Sequence, residues 1–132
     1  MRKTLPKSSI LRGYNAFHSV FENGVRFTGK LVYCYVVVEE QIKFQSPVQW
    51  GFSVSKKRFP RAVDRNRVRR LLRESVRMNS EELVKILTEK NKQAKIVLSF
   101  IAGDDLNLKA LKMQTVAEEW KLILPQIIQS IP

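Results

Sequence analysis

Hydrophobic and polar positions change their spacing several times along this chain, and each change marks an element. Between Gly13 and Asn23, Tyr14, Phe17 and Phe21 recur at i, i+3 and i+7. That spacing predicts a short amphipathic helix closed by Gly24. The run LVYCYVVV follows, apolar on both faces and too short for a comfortable helix. It predicts a central strand, with a short edge strand at Val25–Phe27 beside it. VQWGFSVS then alternates, with Val48, Trp50, Phe52 and Val54 on one side and Gln49, Gly51, Ser53 and Ser55 on the other. Alternation of this kind predicts a strand with one face buried and the other left for contacts.

Beyond Arg58 the pattern switches to the helical period. Val68, Leu71, Leu72, Val76 and Met78 fall on one stripe, while Asn66, Arg69, Arg70, Arg73 and Arg77 fall on the opposite arc. Asn79 or Ser80, followed by Glu81 and Glu82, predicts the start of a second helix running to about Glu89. AKIVLSFIA, from Ala94 to Ala102, predicts another strand, turned by Gly103. A long final helix is expected from Leu106 to Ile131, anchored by Leu108, Leu111, Trp120, Leu124 and Ile128 and kinked or interrupted at Pro125. The order α-β-β-β-α-(α)-β-α predicts an α+β fold: a two-layer sandwich with helices against one face of a small mixed sheet and the other face partly open.

With 132 residues and 44% hydrophobic content, residues 1–132 read as one domain able to bury a core without staples. Cys34 lies in an apolar strand and reads as a core thiol, and as the only cysteine it excludes an intramolecular disulfide and a cysteine-based zinc site. No apolar run is long enough to span a membrane, and the basic N-terminus lacks the apolar stretch of a secretory signal, so a cytoplasmic location is expected. Catalytic equipment is sparse. His18 is the only histidine and reads as a helix-surface residue. Asp104-Asp105 reads as a helix start, and Glu39-Glu40 and Glu118-Glu119 as solvated faces. No protein-borne catalytic residue and no metal ligand is assigned.

Charge changes the picture. Eight of the eleven arginines lie between Arg58 and Arg77, and the segment Lys56–Arg77 sets ten Lys or Arg against Asp64 and Glu74, within a net charge of +12. A solvated helix face normally mixes signs, and like charges at i, i+3 and i+4 repel. A nearly pure cationic arc of phosphate-forking guanidinium groups predicts a polyanion partner. An anionic membrane competes less well, because the helix's other face is needed for the core. A strand and a Lys-Lys-Arg loop precede the helix, unlike a groove-reading helix pair for DNA, and the surface suits the backbone of a folded RNA.

These residues carry a resemblance. Gly51-Phe52-Ser53-Val54-Ser55-Lys56-Lys57, then Ala62-Val63, then Arg65-Asn66-Arg67 with Arg70 and Arg73-Glu74, resembles the signature of the bacterial ribonuclease P protein subunit. Phe17, Phe21 and Gly24 stand at the spacing that family shows, and the likeness runs from about residue 5 to about residue 125. Arg58-Phe59-Pro60-Arg61 departs from it, being one residue longer than the usual glycine-containing turn, and residues 79–91 match loosely.

The resemblance implies an α+β sandwich with a left-handed βαβ crossover. It implies the non-catalytic protein partner of a catalytic RNA, and precursor tRNA as substrate. The reaction would be hydrolysis of one phosphodiester by a Mg²⁺-activated water, removing the 5′ leader, with Mg²⁺ held chiefly by RNA and none by the protein alone. No membrane and no obligate protein partner are implied. Contacts to the catalytic RNA would come from Lys56, Lys57, Arg65, Asn66, Arg67, Arg70 and Arg73, joined by the neighbouring cations Arg58, Arg61 and Arg69. Phe17, Phe21 and Tyr35, with Ser53 beside them, would line a cleft for the single-stranded leader, where bases stack on aromatic faces. On spacing alone Phe17 and Phe21 also fit ordinary core. A general RNA-binding module and a protein-only nuclease are the competing functions.

Overall fold

The computed structural model describes residues 10–11, 13–41, 46–100 and 112–132. The elements are α1 (Tyr14–Asn23), β1 (Val25–Thr28), β2 (Val32–Glu40), β3 (Val48–Ser53), α2 (Ala62–Asn79), α3 (Glu81–Glu89), β4 (Lys92–Phe100) and α4 (Met113–Ser130). One mixed sheet has the order β1-β2-β4-β3. β2 pairs antiparallel with β1 and β4, and β3 pairs parallel with β4. A parallel pair needs a crossover, and α2 and α3 supply it. The α+β class and the mixed sheet match the expectation from the hydrophobic pattern.

Strand alternation separates the two faces. Val32, Cys34, Val36, Trp50, Ala94, Ile96 and Leu98 form the main core with Val68, Leu72 and Val76 of α2, Leu83 and Leu87 of α3, and Trp120, Ile123 and Ile127 of α4. Trp50 and Trp120 meet edge to face at 5.6 Å, and the Trp120 indole N–H donates to Ser80 Oγ at 3.2 Å. The side chain expected to cap α3 instead satisfies a buried indole, and Ser80 still stands as the residue before the helix. On the other face Val20 of α1 packs on Val97, with Phe17, Phe21, Tyr35 and Val37 half-buried around it. Three helices therefore share one face as expected, but α1 lies across the opposite one. Amphipathic spacing shows that a helix buries a stripe, and does not tell against which face of a sheet.

Other expectations need correction. Met78 is 41% exposed, and Ser75 takes the buried position on α2, its hydroxyl donating to the Leu71 carbonyl at 2.7 Å. Glu119 is not a solvated residue. It is buried, and its Oε1 accepts the backbone N–H groups of Leu31 and Val32 at 2.9 and 3.3 Å, tying α4 to the turn before β2. Glu40 is exposed as expected and Glu39 is half-buried, and the two pair with Lys92 and Lys95 across the sheet. Pro125 does not end α4, which continues to Ser130. Pro125 and Lys121, whose carbonyl loses its helical donor, are both exposed residues, so solvent is available to the carbonyl in place of the missing bond. The helix starts at Met113, and β4 starts two residues earlier than expected, at Lys92. The expected anchors Leu108 and Leu111, the Gly103 turn, the Asp104-Asp105 cap and the strand end at Ile101–Ala102 lie outside the described residues. Among the described residues no helix is long and apolar enough to cross a membrane.

Leu72 is fully buried and Met78 is not. Leu72→Ala is expected to lower unfolding free energy by about 2–5 kcal/mol in denaturant titration, and Met78→Ala by less than about 0.5 kcal/mol. Burial pushes the Cys34 thiol from 9.0 up to about 12, against the opposing effect of a hydrogen bond from the Phe27 backbone. The unfolded chain therefore releases this proton from about pH 9 upward while the folded chain keeps it to about 12. Stability is expected to fall as pH rises through that window, and Cys34→Ala should remove this part of the fall.

Candidate nucleic-acid interface

The cationic surface is built from a turn and a helix. Ser55 Oγ accepts the backbone N–H groups of Lys57 and Arg58 at 3.2 and 3.4 Å, and the Phe59 N–H reaches the Ser55 carbonyl at 2.9 Å. A serine closing its own turn in this way exposes Lys56, Lys57 and Arg58 together. Phe59 anchors the turn. Its side chain is buried and meets Phe100 edge to face at 6.4 Å. Arg65 then staples the far side, with Nη1 donating to the Phe59 and Pro60 carbonyls at 2.9 and 2.8 Å. The lengthened Arg58–Arg61 loop is thus held by an apolar plug and a guanidinium.

Along α2 the buried side is taken up by Val68, Leu71, Leu72, Ser75 and Val76. Asn66, Arg67, Arg70 and Arg73 are exposed on the remaining surface, and Arg69 is half-buried, with its Nη1 donating to Asn66 Oδ1 at 3.0 Å. The two acids of this stretch are accounted for: Asp64 lies 3.9 Å from Arg61, and Glu74 accepts from Arg77 at 2.5 and 2.8 Å. Arg70 and Arg73, like Lys56, Lys57 and Arg58, have no carboxylate within ion-pair distance among the described residues. Lys92 and Lys95, at the far end of the sheet, are paired with acids. Uncompensated positive charge is therefore concentrated on the turn and on α2.

The second surface lies between α1 and the open face of the sheet. Phe17 lies on Gly51: a Cβ there would come within 2.7 Å of the Phe17 ring. Phe21 meets Tyr35 edge to face at 5.2 Å. A groove of about 480 Å³ opens along α1, lined by Gly13, Tyr14, Phe17, His18, Phe21 and Ser53. His18 stacks on Tyr14 at 5.6 Å, and its Nε2 lies 3.0 Å from Glu22, so it is the expected helix-surface residue. Phe17, Phe21, Tyr35 and Ser53 lie on this side; the two half-buried phenylalanines and Ser53 line the groove, and Tyr35, also half-buried, stands behind Phe21 outside its lining. β3 joins the surfaces, since Ser53 borders the groove and the basic turn begins two residues later. Two residues escaped the sequence reading: Arg26, whose guanidinium lies 4.5 Å over the Tyr33 ring, and Tyr33 itself, edge to face with Tyr35 at 6.1 Å. The alternation of Tyr33 and Tyr35 in the second strand was the available signal.

Comparison with known proteins gives this geometry its family. The sequence model described as Ribonuclease P matches residues 5–124. This chain belongs to the ribonuclease P protein family. Among relatives, the ribonuclease P protein component of Chlorobaculum tepidum is 41% identical over 86 residues, covering 63% of this chain and 55% of the relative. That of Porphyromonas gingivalis strain W83 is 36% identical over 105 residues, covering 76% and 72%. The chain spans little more than half the length of the Chlorobaculum relative that it matches. The solved structure of the Staphylococcus aureus RNase P protein superposes with a TM-score of 0.66 at 17% identity, covering 92% of this chain and 96% of that one, a likeness of fold.

The structure separates two kinds of arginine. Arg70→Ala is expected to leave the melting temperature within about 1 °C of the parent while weakening RNA binding. Arg65→Ala should, in addition, speed amide exchange at Phe59, whose carbonyl it holds. Equal Phe59 protection in both variants would remove the staple from the account.

Proposed function

We propose that this chain is the protein subunit of a ribonuclease P ribonucleoprotein, in which α2 and the Lys56–Arg58 turn bind the catalytic RNA. In this reading the groove under α1 holds the 5′ leader of precursor tRNA. The observation that carries it is the division of α2: one side is consumed by the core, and the other presents Arg70 and Arg73, which meet no carboxylate within ion-pair distance among the described residues. Family membership supports the same reading, as does the resemblance at Lys56, Lys57, Arg65, Asn66, Arg67, Arg70 and Arg73. Arg65 would contribute its remaining N–H donors while holding the loop. Phosphate oxygens take guanidinium pairs side by side, and a rail of them fits a backbone read by shape. Phe17, Phe21 and Tyr35 offer ring edges and faces on which unpaired bases stack, in a groove continuous with the cationic turn. The protein would work where the RNA does, in the cytoplasm.

Mg²⁺ is the metal that the family implies. Six of the described carboxylates are already engaged: Glu119 is committed to two backbone N–H groups, and Glu22, Glu39, Glu40, Asp64 and Glu74 each face a cationic or histidine partner. Among the described residues no three His, Cys, Asp or Glu converge. We assign the ion to the RNA, and to this chain's residues the binding and positioning of substrate.

Reconstitution tests the proposal. RNA-free protein should not cleave precursor tRNA, and addition of a ribonuclease P RNA with Mg²⁺ should restore removal of the leader. Cleavage by the protein alone would overturn it. With about five phosphates contacted, RNA affinity should fall with a log–log salt slope of about −4. Phe17→Ala should weaken binding of precursor tRNA about tenfold and leave mature tRNA unchanged.

A further inference from the structure

The segment between β3 and α2 carries the exposed cations Lys56, Lys57, Arg58 and Arg61, yet its backbone is held along its length. From Lys57 to Arg61 each residue has a backbone group in a hydrogen bond. The bonds fall into two sets. Lys57, Arg58 and Phe59 donate their N–H groups to Ser55, while Phe59, Pro60 and Arg61 accept through their carbonyls from Arg65. Phe59 alone belongs to both sets. It is also the one buried side chain between Ser55 and Ala62, at 3% exposure, and it meets Phe100 edge to face at 6.4 Å. Phe100 is itself fixed in the sheet, opposite Val32 of β2. The ring of Pro60 sets its own φ and confines Phe59 before it to extended backbone. A surface loop of like charges is thus pinned to the core at its middle.

Affinity for a polyanion does not require such a lock. The contribution of counterion release depends on how many charges meet phosphates, and a loose loop with the same cations can follow any strand. What a fixed loop adds is shape. Its cations match only a backbone that turns as they do, and little ordering cost is met on binding. Lys56, Lys57 and Arg58 also repel one another, so a loop without an anchor would spread them apart.

We infer that Phe59 is a specificity-determining residue that never touches RNA: by locking the cationic segment to the core, it lets the protein distinguish the folded backbone of a catalytic RNA from an unstructured polyanion. The inference rests on the reading of this turn and α2 as the RNA interface, and it assigns the discrimination to an apolar side chain behind that interface. Phe59 is a positioning residue. It acts through Lys56, Lys57 and Arg58 on one side and through Arg61 and the Arg65 guanidinium on the other. Loss of its ring removes no charge, so affinity for RNA as a polyanion is kept while the match to one shape is lost.

The test measures binding of the full chain to a ribonuclease P RNA and to polyuridylate of equal length, each over a range of monovalent salt. Phe59→Ala should weaken binding of the folded RNA about tenfold and of polyuridylate less than about twofold. Its salt slope for the folded RNA should match the parent's. Arg58→Ala should instead weaken both RNAs and make that slope shallower by about 0.9, the duplex value for one phosphate. Phe59→Leu refills the plug and should return discrimination to within about twofold of the parent. Ile127 of α4 is fully buried in the same core, and Ile127→Ala, which lowers stability without touching the turn, should leave discrimination unchanged. Pro60 is exposed, so Pro60→Gly loosens the loop without opening the core and should lower discrimination about threefold. If Phe59→Ala weakens both RNAs alike, or Ile127→Ala costs as much discrimination, Phe59 is ordinary core and the inference fails with the interface intact. Should Phe59→Ala not fold, unchanged discrimination in Pro60→Gly overturns the inference. If Arg58→Ala and Arg70→Ala both leave binding of the folded RNA unchanged, the interface lies elsewhere and the inference falls with it.

Discussion

The rotation of α2 about its own axis is the constraint on which the cationic surface depends. Val68, Leu72 and Val76 have no exposed surface, and they lock against the sheet and against α4. A helix pinned by such a stripe has no freedom to choose what it shows to solvent. Arg70 and Arg73 face outward because the core takes the opposite side, and the geometry of a rail of cations comes from packing that involves no cation. The repulsion built into that rail is of the order of tenths of a kcal/mol per pair. Burial of one leucine outweighs it several-fold. Folding can therefore tolerate the arc without an anion to relieve it, and the arc is ready when one arrives.

The same division of labour appears on the other face. β4 and β2 are the inner strands and feed both cores, with Ile96 and Leu98 toward the three-helix side and Val97 toward α1. Charge at the far end of these strands is neutralised pairwise by Glu39 with Lys95 and Glu40 with Lys92, and the aromatic groups stand toward the other end. Glu119, though buried, contributes indirectly: by holding the Leu31 and Val32 N–H groups it fixes the entry to β2, the strand that carries Tyr33 and Tyr35.

What the sequence made legible were features whose cause is local. The period of Val68, Leu71, Leu72 and Val76 gave the orientation of α2, alternation gave β3, and the apolar run gave the inner strand. The family resemblance at Gly51–Lys57 and Arg65–Arg67 added the expectation of two surfaces, and those residues do fall on a shared turn, helix and groove. What stayed hidden depends on partners distant in the chain. Glu119 looked solvated because its two donors are 88 and 87 residues away. The structural task of Arg65 stayed hidden because nothing in the sequence marks a guanidinium that also holds the Phe59 and Pro60 carbonyls. Met78 continued the apolar stripe but lies at the helix end, beyond the reach of the core. α1 could have packed on either face of the sheet, and the meeting of Arg26 with Tyr33 exists only once β1 and β2 have found their register.

Gly51 sets the height of α1. The Phe17 ring rests where any other residue would carry a carbon, so the gap between helix and sheet is as narrow as the backbone permits. Any side chain at that position would have to displace the Phe17 ring or lift the helix that carries it. Tyr14 and His18 stand on the outer rim of the same groove, stacked on each other and free of the sheet. The floor of the groove is thus constrained by the Phe17–Gly51 contact, and the rim is where the grip can vary from one chain to another without disturbing the architecture beneath it.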